Sequence, residues 1–157
     1  MQGNEKVIAA LNKALQEEFV ALNQYFIHAE MCENWKYENL SSRLKKKSIM
    51  EMKHAEKLIE HILFLDGIPN MNGSTQIKVG KTVKQQLEND LKAELDAVKS
   101  YNEAVKLSRA EGDNGSAELF LSNLKDEEGH ADWLESQLNL IKELGYERYL
   151  SKQMGEE

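Results

Sequence analysis

The sequence predicts an all-α protein: a four-helix bundle with one long crossover and a short C-terminal fifth helix. Three observations predict it. Strong helix formers dominate the composition, with one proline (Pro69) and nine glycines in 157 residues. Apolar side chains recur every three or four positions along four long segments. The links between these segments are unequal, two of them short and one long.

The first helix, about Asn4 to Trp35, carries Ile8, Leu11, Leu15, Leu22, Tyr25 and Ala29 on one stripe, and Glu18 falls on the same stripe. The second, about Asn39 to Asp66, carries Leu40, Leu44, Leu58, Ile62 and Leu65, and its stripe passes through Glu51 and His54. The third, about Val83 to Glu111, shows Leu87, Leu91, Val98, Tyr101 and Val105, with Glu94 in the gap. The fourth, about Ser116 to Leu144, shows Phe120, Leu124, Leu134, Leu138 and Ile141, with Glu127 and His130 between them. Each helix therefore has an acid where a leucine is expected.

The tight turn Gly112-Asp113-Asn114-Gly115 makes helices three and four antiparallel neighbours, and the short link around Trp35–Asn39 does the same for one and two. Gly67 to Thr82 is a long connection, strand-like at Ile77–Val79, able to run the length of a bundle. Two antiparallel pairs joined by one crossover form the up-down-down-up, ferritin-like version of the bundle. Gly145 reads as a C-cap, and "YERYLSKQM" beyond it has room only for a short fifth helix. One domain over residues 1–157 is the expectation for this length.

Composition excludes several functions. A single cysteine, Cys32, can form neither an internal disulfide nor a paired thiolate metal site. With 27 acidic against 20 basic residues the net charge is −7, which repels nucleic acid and attracts cations; Arg43, Lys45, Lys46 and Lys47 are the basic exception. The N-terminal stretch lacks a signal-peptide apolar region and no run is long enough to span a membrane, so a cytoplasmic protein is expected.

Glu18 precedes Glu51 by 33 residues, and Glu94 precedes Glu127 by 33; His54 and His130 each follow their glutamate by three. The pattern thus occurs twice, offset by 76, and Tyr25/Tyr101 and Leu15/Leu91 obey the same offset. Since 21 of 157 residues are Glu, one coincidence carries no weight, but four matches do. Isolated helical glutamates usually sit in solvated ion pairs; these four lie on apolar stripes. Four buried carboxylates repel one another and are costly to desolvate, so something positive must sit among them. Two divalent cations balance four glutamates, with two imidazoles completing the donor set. Glu18 and Glu94 are then terminal ligands, Glu51 and Glu127 bridge, and His54 and His130 each take one metal. Tyr25, on the Glu18 stripe, is placed to hydrogen-bond a ligand or to donate an electron. Trp35 and Trp133 read as packing, Cys32 as inert, and His28 and His61 as structural or solvent-facing.

At these residues the sequence resembles the bacterioferritins over nearly its whole length: "LNQYF" around Tyr25, "EMKHAE" around His54, "ILFLDGIPN" at the crossover, "DEEGHADWLE" around His130 and "YLSKQM" near the end. The resemblance implies a ferroxidase that oxidises Fe(II), with oxygen or hydrogen peroxide as oxidant, at a di-iron centre within each subunit. It implies storage of ferric mineral inside a 24-subunit shell, homomeric or co-assembled with a second ferritin-type subunit, and a redox partner for iron release. It also implies haem b shared between two subunits, with Met52 of each as axial ligand; one step from Glu51, Met52 points about 100° away from the metal face. Asn23, Phe26, Ile49 and Lys53 match the family's haem surroundings, whereas Phe19 and Lys45 are less usual there. Lys46 and Met50 stand where the family commonly has a His and an Asp on the cavity-facing side of the second helix, and neither binds iron. Lys47 lies one turn before Glu51, where its charge opposes metal access unless the amine swings outward. These departures predict retained iron oxidation with weakened mineral growth. Two other functions fit the ligand pattern: a di-iron peroxidase or oxygenase acting on a small molecule, and a noncatalytic haem-carrying shell subunit with structural metals.

Overall fold

The computed structural model describes residues 1–73 and 76–155. Four long helices, α1 (Glu5–Asn34), α2 (Glu38–Phe64), α3 (Val83–Ala110) and α4 (Asn114–Leu144), precede a one-turn-plus α5 (Tyr146–Ser151). The chain forms the expected all-α, ferritin-like four-helix bundle. Side-chain caps set the starts of α1, α3 and α4: Asn4 accepts from the amides of Lys6 and Val7, Thr82 from Gln85, and Asp113 from Ser116. α4 therefore begins two residues before the expected Ser116, within the Gly112–Gly115 turn. Gly145 ends α4 at φ 85°, a conformation that a Cβ disfavours, and α5 begins at the next residue.

Cross-helix contacts define the directions. Asn4 meets Glu111, Glu18 meets Tyr101, and His28 meets Asp90, so α1 and α3 are antiparallel. Gly3 bonds Leu65 and Lys45 bonds Glu30, so α1 and α2 are antiparallel too. With Tyr101 of α3 beside Asn123 of α4, and Lys84 of α3 beside Tyr146 just past the end of α4, the order is up-down-down-up.

The crossover climbs α1. Asn12 contacts Ile68 and Asn70, Gln16 contacts Asn70, Gln24 contacts Lys78, and His28 receives the amide of Gly80. The strand-like run at Ile77–Val79 forms no strand. A strand needs a partner strand; here the Lys78 amide donates to Gln24 and its carbonyl accepts from Asn89, so helix side chains take up the backbone of Lys78 instead. No helix among the described residues is long and apolar enough to cross a membrane.

The stripes pack as two apolar clusters. One joins Val7, Leu11 and Leu15 to Leu58, Ile62, Tyr101 and Phe120; the other joins Tyr25, Ala29 and Cys32 to Leu40, Leu44, Leu87 and Leu134. A polar layer separates them at mid-bundle, built from the acids the stripes carry.

Candidate metal centre

Glu18 from α1, Glu51 and His54 from α2, Glu94 from α3, and Glu127 and His130 from α4 meet in that layer, none more than 6% exposed. Their donor atoms form two overlapping groups, Glu18–Glu51–His54–Glu127 and Glu51–Glu94–Glu127–His130, each with all ligand atoms within 4.8 Å of one another. Glu51 and Glu127 belong to both groups.

The distances repeat across the layer. His54 Nδ1 lies 2.8, 3.4 and 3.6 Å from Glu127, Glu18 and Glu51. His130 Nδ1 lies 2.8, 3.4 and 3.7 Å from Glu51, Glu94 and Glu127. The 76-residue repeat is thus a near-twofold symmetry of the site. Short as they are, these contacts lack hydrogen-bond alignment: both carboxylate oxygens of Glu51 and of Glu127, one each of Glu18 and Glu94, and both histidine Nδ1 atoms have no hydrogen-bond partner. Native interiors rarely leave so many buried polar atoms unpaired. Oxygen and imidazole donors aimed at shared space fit two divalent cations of the iron, manganese or zinc kind.

Electrostatics agrees. Burial raises the carboxyl pKa of Glu18, with the Glu127 charge adding to the effect. Burial and the neighbouring Glu18 push Glu51 up to about 8, and burial and Glu127 push Glu94 up to about 8. Burial opposes the imidazolium of His54 and His130, but the surrounding carboxylates, Glu127 foremost, overcome it and raise both, His130 to about 11. The cluster demands positive charge, and protons supply it when metals do not.

Tyr25 bonds Glu94 across the bundle, its hydroxyl 2.6 Å from Oε1, rather than Glu18 on its own helix. Its phenol pKa is raised by burial and by the Glu94 charge, so it stays a donor. Tyr101 does the same for Glu18 and is itself held by Asn123 Nδ2 at 3.2 Å. Tyr101 was not among the expected site residues, although its 76-residue offset from Tyr25 marks it. Asp126, also unanticipated, has Oδ2 2.8 Å from His54 Nε2 and so orients that ring.

Lys47 resolves its conflict with the metal face by swinging outward, its amine 4.4 Å over the Trp133 ring. Trp133 therefore does more than pack. His28 is structural, fully buried between Asp90 and the Gly80 amide, and His61 is held to Ser116 at 2.8 Å. The Cys32 thiol is buried and pushed up to about 12, chiefly by burial, so it is inert as expected. Met52 projects from α2, 44% exposed, with Ile49 three residues before it and Phe26 on α1 also exposed.

The family model of the ferritin-like domain matches residues 8–144. Among curated relatives, a bacterioferritin of Brucella melitensis is 45% identical over 149 residues, covering 95% of this chain and 92% of its own. The bacterioferritin BfrA of Mycobacterium tuberculosis is 39% identical over 95% of this chain and 94% of its own, and a bacterial ferritin of Synechocystis is 43% identical over 98% and 99%. Fold and buried cluster define a ferritin-like protein, and the chain belongs to the bacterioferritin family within that class.

Proposed function

We propose that the protein stores iron and is a ferroxidase, oxidising Fe(II) at the four-glutamate, two-histidine cluster. The observation that carries this reading is the paired set of unpartnered, buried donor atoms with near-identical spacing on the two sides. Glu18 and His54 hold one metal and Glu94 and His130 the other, with Glu51 and Glu127 shared. Two Fe(II) substrates each give up one electron, reducing oxygen to hydrogen peroxide, or peroxide to water, with uptake of two protons. The protein's part is to hold the irons adjacent, to neutralise them with four carboxylates, and to steady the terminal glutamates through Tyr25 and Tyr101.

Family membership supports the remaining parts of the proposal: one domain, a cytoplasmic location, a 24-subunit shell enclosing ferric mineral, and a redox partner that releases the iron. Met52, with Phe26 and Ile49, is the half-site for a haem b completed by the same residues of a second subunit; haem there supplies one-electron transfer. Stopped-flow Fe(II) oxidation tests the reading. Wild type is expected to oxidise two Fe(II) per subunit in a fast phase that Glu127→Ala and His130→Ala abolish. An unchanged rate in both variants would show the metals to be structural.

A further inference from the structure

The two halves of the cluster differ at their outer edge. The repeat pairs Asp126 with Met50, 76 residues earlier. On one side Asp126 takes up His54 Nε2 at 2.8 Å. On the other a thioether replaces the carboxylate, and His130 Nε2 has no hydrogen-bond partner among the described residues. The His130 ring instead borders an open recess of about 270 Å³ lined by Arg43, Lys46, Lys47, Met50 and Trp133.

No described carboxylate pairs with Arg43, Lys46 or Lys47, as with most lysines and arginines of the chain; what sets these three apart is that they line one recess. With Nδ1 turned toward the cluster as a ligand atom, the His130 ring proton resides on Nε2, facing away from it. The recess thus presents the imidazole N–H, a guanidinium and two ammonium groups, and no side-chain oxygen to accept from any of them. In a chain of net charge −7, this concentration of donors without acceptors is the reverse of the surface average.

We propose that this recess binds a small oxyanion of the phosphate class, which accepts from Arg43, Lys46, Lys47 and His130 together. A tetrahedral anion takes the planar fork of Arg43 bidentately, and its remaining oxygens meet the point charges of the lysines. Lys47 is already positioned, its amine fixed over Trp133. Protons balance the nearby glutamates when metals do not, so the anion site does not rest on the metal reading above.

Inorganic phosphate titrated calorimetrically into the whole protein, metal-free and after loading with Zn(II), tests the proposal, with zinc content assayed separately. The expected result is saturable binding of one phosphate per subunit in both forms. Charge-assisted hydrogen bonds of this kind make a loss of about tenfold or more the expectation for Arg43→Gln/Lys46→Gln. A similar loss is expected for Met50→Asp, which gives His130 the carboxylate that His54 has. Lys45→Gln, outside the recess, leaves binding unchanged. If zinc fails to load but the same variant pattern persists, the metal reading falls and the anion site stands. Absent saturation, or equal affinity in all variants, would mean an adventitious ion only and overturn the proposal.

Discussion

Tyr25 on α1 donates its hydroxyl to Glu94 on α3 at 2.6 Å, and Tyr101 on α3 returns the arrangement to Glu18 on α1. Each phenol thereby holds the glutamate of the opposite helix, so the antiparallel α1–α3 pair acts as one frame for both terminal carboxylates. Tyr25→Phe and Tyr101→Phe are each expected to leave metal stoichiometry at two per subunit and to slow Fe(II) oxidation about tenfold, the usual scale for outer-layer partners of metal ligands. Parallel anaerobic Co(II) titration and oxidation kinetics would check this.

Asp126 and Met50 make the two histidines inequivalent. Asp126→Asn removes the carboxylate on His54 Nε2 and is expected to weaken one of the two metal positions by roughly 10-fold to 100-fold while sparing the other. A biphasic binding isotherm, with only one phase shifted from wild type, is the expected readout.

The metal-free protein should lose stability as pH rises. Glu51 and Glu94 are raised from 4.5 to about 8, so folding binds their protons more tightly; that contribution is complete below about 4.5 and is lost as pH passes through about 8. His130, raised from 6.5 to about 11, adds a loss of the same sign over that higher range. Melting temperatures are therefore expected to fall from pH 6 to pH 9 without metal. With Zn(II) bound they should fall less, because the metal replaces the protons.

The crossover is held by a buried polar clamp in which His28 bonds Asp90 and receives the Gly80 amide. A Cβ at Gly80 would sit 2.4 Å from the backbone nitrogen of Gln86, which cannot move aside as a side chain can. Gly80→Ala is expected to destabilise the fold by about 2 kcal/mol, in the range for overpacking a filled interior, without changing metal stoichiometry. Chemical denaturation beside metal analysis would show whether the two effects separate.

The residues of the buried cluster were legible in the sequence because each one breaks a physical rule. An acid on an apolar stripe stands out, and the repeat ties Glu18 to Glu94 and Glu51 to Glu127. The crossover was legible from its length and its turn residues. What escaped depends on contacts between helices: Tyr101 with Glu18 is 83 residues apart, His54 with Asp126 is 72, and His28 with Asp90 is 62. Tyr101 had a signal in the repeat that its role as a stripe residue masked. Asp126, in the acidic run "DEEGH", had none. The strand-like run at Ile77–Val79 forms no strand for the complementary reason, since local β-propensity says nothing of the side chains from α1 and α3 that take up the Lys78 amide and carbonyl.

Shared ligands separate this account from one with two independent sites. Anaerobic metal titration of single-alanine variants measures this directly. Glu51→Ala or Glu127→Ala is predicted to weaken both metal positions at once, whereas Glu18→Ala or Glu94→Ala weakens only one and leaves its neighbour near wild-type affinity. Two metals bound with unaltered affinity in Glu51→Ala and Glu127→Ala would contradict the account, since the cluster would then not be what holds them.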